Sequence, residues 1–287
     1  MRKSLTDIVL VVFLLAALGG GIFILKQKNY QIKSPIVKKV EEIVEKPLEK
    51  YTFQNLQSTK FVSSTIEFGE TIDAENIKIE SKKFSYTTHD PRDSNKKYKV
   101  SGLINTPVVS GKYPIIILFR GFVERDIYKT GIGTNRAGLL FAENGFITVA
   151  PDFLGYGDSD PSSDQSIEER FQTYQTAISL FSSLDNLDKA LEGTNSGKIR
   201  ADTSKVGIWA HSNGGHISLA ALAITGKEYP TVLWNPVTKP FPYSILYFTD
   251  EFEDEGKALR RVVAEFEENY DVAAYSPSNY YDWIKAP

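Results

Sequence analysis

The fold is decided by the stretch VGIWAHSNGGHISLAALAI, residues 206–224. It begins with a short apolar run, which is typical of a strand buried on both faces, and it ends with ISLAALAI, which favours a helix. Between the two lie small and polar residues, Ala210, His211, Ser212, Asn213 and a pair of glycines. This order predicts that Ser212 lies on a tight turn between a buried strand and a helix.

A serine on such a turn has the surroundings that a catalytic nucleophile needs. The turn lifts the hydroxyl above the sheet, and the backbone N–H of Asn213, at the amino end of the helix, can donate to a developing oxyanion. The sequence differs from the pattern G-x-S-x-G in that Ala210 replaces the first glycine. Because a buried strand precedes the pattern and a helix follows it, we interpret Ser212 as a nucleophile and not as an ordinary turn serine.

The segments around this motif alternate between strand and helix patterns. Continuous apolar runs predict buried strands, and alternating segments predict strands at the edge of a sheet. The predicted strands are Ser81–Thr87, Lys97–Asn105, Pro114–Phe119, Gly145–Ala150, Lys205–Ala210 and Thr231–Trp234, and the predicted helices are Arg136–Asn144, Glu168–Leu191 and His216–Ile224. This alternation predicts an α/β fold, a mainly parallel sheet with helices on both faces and a site at the carboxyl ends of the strands.

Residues 236–282 interrupt the alternation. An amphipathic helix is predicted there, because apolar residues share one helical face of a segment that is otherwise rich in Asp and Glu. These residues are Phe252, Leu259, Val262, Val263, Phe266 and Tyr270. We interpret the segment as a lid inserted after the sixth predicted strand. An ordinary surface helix that packs on the edge of the sheet explains the pattern equally well.

The first 50 residues have a different composition. Residues 8–25 (IVLVVFLLAALGGGIFIL) carry no charge, and a helix of this length is about 27 Å long, close to the thickness of a bilayer's hydrocarbon core. This predicts a transmembrane anchor after a short flank, residues 1–7, with a cleaved signal segment as the alternative. The Lys- and Glu-rich residues 26–50 predict a polar linker, so the folded domain is expected to span residues 51–287 and to lie outside the cytoplasm.

Composition excludes several classes of protein. The chain of 287 residues holds 33 Lys plus Arg and 36 Asp plus Glu, a formal net charge of −3. This balance argues against a nucleic-acid partner, because phosphate binding needs a concentrated basic face. The sequence contains no Cys, which excludes a disulfide framework, a thiolate metal site and a cysteine nucleophile.

Three stretches give the chain a resemblance to a known family. YPIIILFRGF, FAENGFITVAPDFLGYGDSD and ADTSKVGIWAHSNGGHISLA resemble α/β-hydrolases of the prolyl oligopeptidase type in order and spacing, over most of residues 80–287. The resemblance implies a serine peptidase, without metal or cofactor, that acts on a small peptide or acyl substrate. It implies that Ser212 is the nucleophile and that the backbone amides of Phe122 and Asn213 form the oxyanion hole. Arg120 departs from the family, because many relatives have a histidine there.

Two other functions and one other site stay open. A carboxylesterase uses the same machinery as a peptidase and differs in its pocket, and a non-catalytic, membrane-anchored binding protein would need no machinery. The loop Asp152–Asp160 holds several carboxylates and could suggest a metal site. We interpret it as a structural loop in which Asp152 fixes the turn.

The general base and its acid have no evident position in this sequence. The only histidines are His89, His211 and His216, whereas the fold places its acid and then its base after the serine. We expect His89 at the surface and His216 in helix packing. The resemblance implies that the acid and the base lie beyond Pro287, so we expect a truncated chain that is nearly inactive alone and open at an apolar sheet edge. A degenerate hydrolase is the alternative.

Overall fold

Seven strands form one sheet in the part of the chain that the structure, a computed structural model, describes: residues 45–73, 77–195, 197–247 and 249–287. The strands are β1 (Glu67–Asp73), β2 (Ile79–His89), β3 (Lys97–Pro107), β4 (Gly111–Phe119), β5 (Ile147–Pro151), β6 (Ile199–His211) and β7 (Thr231–Trp234). They lie in the order β1-β2-β3-β5-β4-β6-β7. The pairs from β1 to β3 and between β3 and β5 are antiparallel, whereas β5, β4, β6 and β7 pair in parallel.

The parallel strands are the ones that read as continuous apolar runs. All five residues of β5 are buried, and Ile115 and Ile117 of β4 are fully buried, because helices cover both faces of this part of the sheet. All six predicted strands form. β6 starts at Ile199, earlier than predicted, and β1 was not predicted because its sequence EFGETID is polar.

Helices cover both faces of the sheet, as predicted. They are α1 (Phe53–Ser58), α2 (Asn135–Glu143), α3 (Ser166–Ser183), α4 (Leu187–Asn195), α5 (Asn213–Thr225) and α6 (Lys257–Asn269). Helices α3 and α5 belong to the larger hydrophobic core, and α2 packs on a smaller cluster around Leu103, Leu118 and Ala150. The predicted single helix Glu168–Leu191 is two helices, because a 3₁₀ turn at Leu184–Asn186 separates α3 from α4.

Helix α6 is the amphipathic helix predicted after the sixth predicted strand, which is β7. Its residues Val263 and Phe266 are buried in the larger core. The Phe266 ring packs against Phe171 of α3 at a centroid distance of 6.1 Å. Phe252 lies before the helix and is 51% exposed. The helix therefore forms on its predicted face, and its role as a lid stays a prediction.

The compact unit includes the last residues of the predicted linker. Residues 46–287 form one compact unit, in which Leu48 is buried. Lys50 forms ion pairs with Asp90 at 2.6 Å and with Glu168 at 2.8 Å. Tertiary contacts thus order the end of a segment whose composition alone is that of a tether.

The predicted membrane anchor, residues 8–25, and residues 26–44 of the predicted linker lie outside the described residues. In the part that is described, no helix has both the length and the apolar character needed to cross a bilayer.

Candidate active site

Ser212 lies on the turn between β6 and α5 in a strained backbone conformation. Its φ is 51° and its ψ is −118°, and a positive φ is unfavourable for a residue with a side chain. Its N–H donates to the Trp234 carbonyl at 3.0 Å, and its own carbonyl accepts from the N–H groups of Gly215 and Val237, both at 3.0 Å. The predicted tight turn therefore forms, and hydrogen bonds to the end of β7 and to the segment after it hold the strain in place.

The two glycines that follow Asn213 are required by close packing. A Cβ atom at Gly214 would lie 2.2 Å from the carbonyl oxygen of Phe119, and one at Gly215 would lie 2.5 Å from Cβ of Pro236. Neither distance leaves room for a side chain. The amino end of α5 can therefore lie directly beside the end of β4, where the loop Arg120–Phe122 begins.

This loop lies against the serine. A Cβ atom at Gly121 would be 3.1 Å from Cβ of Ser212 and 3.1 Å from Nδ1 of His211. The next residue, Phe122, is 67% exposed, and it lines the same cleft as Ser212 and Asn213. The structure therefore brings together the three residues that the sequence singled out as nucleophile and oxyanion hole.

Arg120 holds the loop in its orientation. Its side chain is buried, Nη1 donates to the Gly121 carbonyl at 2.9 Å, and Nη2 donates to the Asp152 carbonyl at 3.0 Å. The C=O and N–H groups of a trans peptide point in opposite directions. By fixing the Gly121 carbonyl, Arg120 also fixes the direction of the Phe122 N–H.

Asp152 is the carboxylate at the centre of the polar network beside Arg120. It is fully buried, and it accepts hydrogen bonds from the hydroxyl groups of Ser101 and Tyr128, both at 2.6 Å, and of Thr130 at 2.8 Å. Burial raises the pKa of the Asp152 carboxyl above its ordinary value, and these hydroxyl donors oppose that rise. Asp152 thus has the structural role that the sequence predicted. The described residues contain no group of three or more His, Asp or Glu side chains that could hold a metal ion.

The three histidines, all of which the structure describes, make no hydrogen bond to Ser212. Nε2 of His216 is 2.6 Å from the Tyr174 hydroxyl, and burial lowers the pKa of His216 to about 4, so it is a poor proton acceptor at neutral pH. His89 is 6% exposed and accepts from the Val62 N–H at 3.0 Å. Its expected surface position is therefore wrong, because the segment before β1 covers it.

The cleft beside Ser212 has a volume of about 690 Å³, within the range of small-molecule sites. Its walls are mainly aromatic and aliphatic, and include Phe122, Tyr174, Val237, Phe241, Ile245, Tyr247, Phe252 and Leu259. Phe252 and Leu259 are the described residues of the acidic segment 250–271 that line the cleft. The charged side chains among the described lining residues are Arg170 and Lys239, and no Asp or Glu is among them.

Two functional candidates on α3, Arg170 and Tyr174, were not predicted from the sequence. Both line the cleft together with Thr173, and their spacing of three and four residues places them on one face of a helix. That spacing is visible in the sequence. Nothing local indicates that this face meets the nucleophile, since the contact depends on how α3 packs against α5.

The order of the sheet, with the serine turn directly after β6, is that of the α/β-hydrolase fold. The family model described as Chlorophyllase matches residues 69–232, which include the loop after β4 and the serine turn. Among curated proteins, none matches the chain.

Several solved structures match part of this chain. The chain is 17% identical to the rice cell wall degrading esterase LipA from Xanthomonas oryzae, with a TM-score of 0.42, and the match covers 60% of this chain and 49% of LipA. An acetyl xylan esterase from Paenibacillus sp. R4 is 15% identical, with a TM-score of 0.45 and coverage of 82% of this chain and 83% of that one. Acetyl xylan esterase 1 from Thermoanaerobacterium sp. JW/SL YS485 is 18% identical, with a TM-score of 0.46 and 84% of each chain covered. The chain thus spans about half the length of LipA.

Proposed function

Because the chain belongs to the chlorophyllase family, we propose that it is a serine hydrolase that cleaves carboxylic esters through a covalent acyl-enzyme. The observation that carries this proposal is Ser212, held at a φ of 51° between β6 and α5 in the lining of a cleft whose walls are mainly aromatic and aliphatic. A strained serine at this position is the arrangement that exposes a nucleophile above a sheet of this kind.

In the proposed reaction, the Ser212 oxygen attacks the ester carbonyl carbon and its proton passes to a general base. The carbonyl oxygen becomes an oxyanion, which accepts hydrogen bonds from the backbone N–H groups of Phe122 and Asn213. The tetrahedral intermediate then collapses: the C–O bond to the alcohol breaks, the base gives its proton to the departing alkoxide, and the acyl group stays on Ser212. Water next attacks the acyl carbon and gives a proton to the base, and the bond to the Ser212 oxygen breaks as that oxygen takes the proton back.

Among the described residues, no histidine makes the hydrogen bond to Ser212 that a general base needs. His216 is occupied by Tyr174, with its pKa lowered to about 4, and His89 is enclosed by the segment before β1. An acid and a base from residues that follow Pro287, as the family resemblance implies, stay a prediction.

Ester cleavage is the function that the family favours, ahead of the peptidase activity first expected from the motifs. An ester is also the less demanding substrate, because an amine leaving group must be protonated as it departs, whereas a phenol or a stabilised alkoxide leaves with less help.

A substrate panel tests the proposal on the full chain. We expect hydrolysis of nitrophenyl esters of short and medium chain length, and of chlorophyll as the family's namesake, with little cleavage of aminoacyl naphthylamides. Ser212→Ala is the matched control and should remove this activity. Ester hydrolysis that survives in Ser212→Ala, or cleavage of the naphthylamides alone, would contradict the proposal.

We also propose that residues 8–25 anchor the hydrolase domain in a membrane. The support is their uncharged sequence over a length that matches a bilayer's hydrocarbon core. When the full chain is expressed, it should sediment with membranes and resist extraction by alkaline carbonate. Release by carbonate would contradict an uncleaved anchor.

A further inference from the structure

Arg170 is a cation with no partner in the wall of the active-site cleft. Its Nε atom is buried and makes no hydrogen bond, and the described residues provide no carboxylate within ion-pair distance of its guanidinium. The neighbouring carboxylate, Glu169, is bonded to Arg125 instead. Arg170 is half-buried, and an arginine in a cleft wall that has no carboxylate partner of its own is available to an anionic ligand.

The position of Arg170 relates it directly to the reacting residues. It lies on α3 and lines the cleft together with Tyr174 and with Phe122 and Asn213, where the oxyanion donors are expected. Burial lowers the pKa of His216 and the positive charge of Arg170 adds to that fall, whereas at Tyr174 the same charge opposes the rise in pKa that burial causes. Neither carries a negative charge at neutral pH, because burial raises the pKa of Tyr174 above its ordinary value.

The other charged side chain that lines the cleft is also a cation. The second cation in its wall, Lys239, is exposed, and its Nζ lies 4.3 Å from the centre of the Tyr247 ring. No Asp or Glu occurs among the described residues that line the cleft beside Ser212, whereas Glu169 lines the adjoining pocket, which shares Phe122, Arg170 and Asn213 with it. The charged side chains beside the candidate nucleophile are therefore cations, in a chain whose net charge is −3.

We propose that Arg170 binds a carboxylate of the substrate, so that the preferred ester is a monoester of a dicarboxylic acid with an apolar alcohol or acyl body. This inference rests on the proposed function for the identity of the reacting group. The planar guanidinium matches the two oxygens of a carboxylate. The aromatic walls would hold the apolar body.

Binding can be measured without catalysis in the Ser212→Ala variant. The ligands are monobenzyl glutarate, which carries one carboxylate, and its neutral counterpart methyl benzyl glutarate, both titrated by calorimetry at neutral pH. We expect the anionic ligand to bind at least tenfold more tightly. The succinate and adipate homologues bracket the distance between Arg170 and Ser212, and one length should be preferred over the others.

The variant Arg170→Met in the same background should remove this preference and leave the affinity for the neutral ligand within about threefold. Arg136→Met, at an exposed arginine of α2, is the matched control and should keep the preference. Arg170→Lys keeps the positive charge but loses the planar guanidinium, so it should retain part of the preference for the anionic ligand. This variant also tests the inference if Arg170→Met does not fold. Equal binding of charged and neutral ligands, or a preference that survives in Arg170→Met, would overturn the inference.

Labelling of Ser212 by a fluorophosphonate separates this inference from the proposed function. If Ser212 is labelled but no anionic preference exists, the inference about Arg170 fails alone. If the preference depends on Arg170 but Ser212 stays unlabelled, the carboxylate site stands and the hydrolase proposal fails.

Discussion

Two arginines lie near Ser212, and their surroundings differ, although the Nε atom of each is buried without a hydrogen bond. Arg120 is buried, donates to the carbonyls of Gly121 and Asp152, and lies over the rings of Tyr128 at 4.5 Å and Tyr156 at 4.1 Å. Arg170 is half-buried, and the described residues give its guanidinium neither an ion pair nor a hydrogen bond. A cation satisfied by its own chain supports structure, whereas an unsatisfied one beside a nucleophile is available to a ligand.

This contrast has an energetic consequence. Burying a charge without a partner lowers stability, and proteins retain such groups mainly where function uses them. Replacing Arg120 should therefore be costly for folding. Replacing Arg170 should cost folding little and should change ligand binding instead.

The largest effect is expected for Arg120→Met. The change leaves two buried carbonyls without their charged donor and removes three cation–π contacts, so we expect the free energy of unfolding to fall by about 3–5 kcal/mol. Urea denaturation followed by circular dichroism measures this loss, with Arg136→Met as the control. A loss below about 1 kcal/mol would mean that Arg120 is not the support of the loop.

A smaller loss is expected for Tyr128→Phe, which removes one hydroxyl donor to the Asp152 carboxylate and keeps the ring under Arg120. At pH 7 the free energy of unfolding should fall by about 1.5–3 kcal/mol. The pKa of Asp152 in the folded protein already lies above its ordinary value, so stability falls as pH rises through the interval between those two values. The variant raises the folded pKa further, and its loss should be larger at pH 7 than at pH 4. An equal loss at both values would contradict an ionised Asp152 at neutral pH.

Arg170→Met should change stability by less than about 0.5 kcal/mol, because the side chain is half-buried and makes no ion pair or hydrogen bond with the described residues. The same urea titration as for Arg120→Met measures it. A loss as large as that of Arg120→Met would show that Arg170 has a structural partner, and the contrast between the two arginines would disappear.

The smallest effect is expected for pH, which should leave the affinity for the anionic ligand almost unchanged. Burial lowers the pKa of His216 to about 4, so this histidine stays neutral between pH 6 and 8, and Arg170 stays charged. The affinity of the Ser212→Ala variant for monobenzyl glutarate should therefore vary by less than about twofold over this range. An affinity that rises tenfold as the pH falls to 6 would point to a histidine as the anion site.

The sequence predicts the parts of this molecule that depend on local signals. The apolar run of β7 gives its bounds, Thr231–Trp234, and the glycine pair beside Ser212 indicates the tight turn. Helix α3 was extended too far, to Leu191, because nothing in its apolar spacing marks the 3₁₀ turn at Leu184–Asn186.

The parts that were missed depend on contacts between distant residues. Leu48 lies in a Lys- and Glu-rich run, whose composition predicts a solvated linker. The structure instead buries Leu48 in the hydrophobic core. His89 lies in a polar stretch and is covered by the segment before β1. The contrast between Arg120 and Arg170 is of the same kind, since both are single arginines in the sequence, and only the packed structure shows which one has partners.

The most direct test of the central claim, that Ser212 is the nucleophile, is covalent labelling of the full chain with a fluorophosphonate, followed by peptide mapping. We predict a single adduct on the peptide that contains Ser212, and none in Ser212→Ala. An adduct on another serine, or no adduct on a chain that is folded by circular dichroism, would contradict that claim.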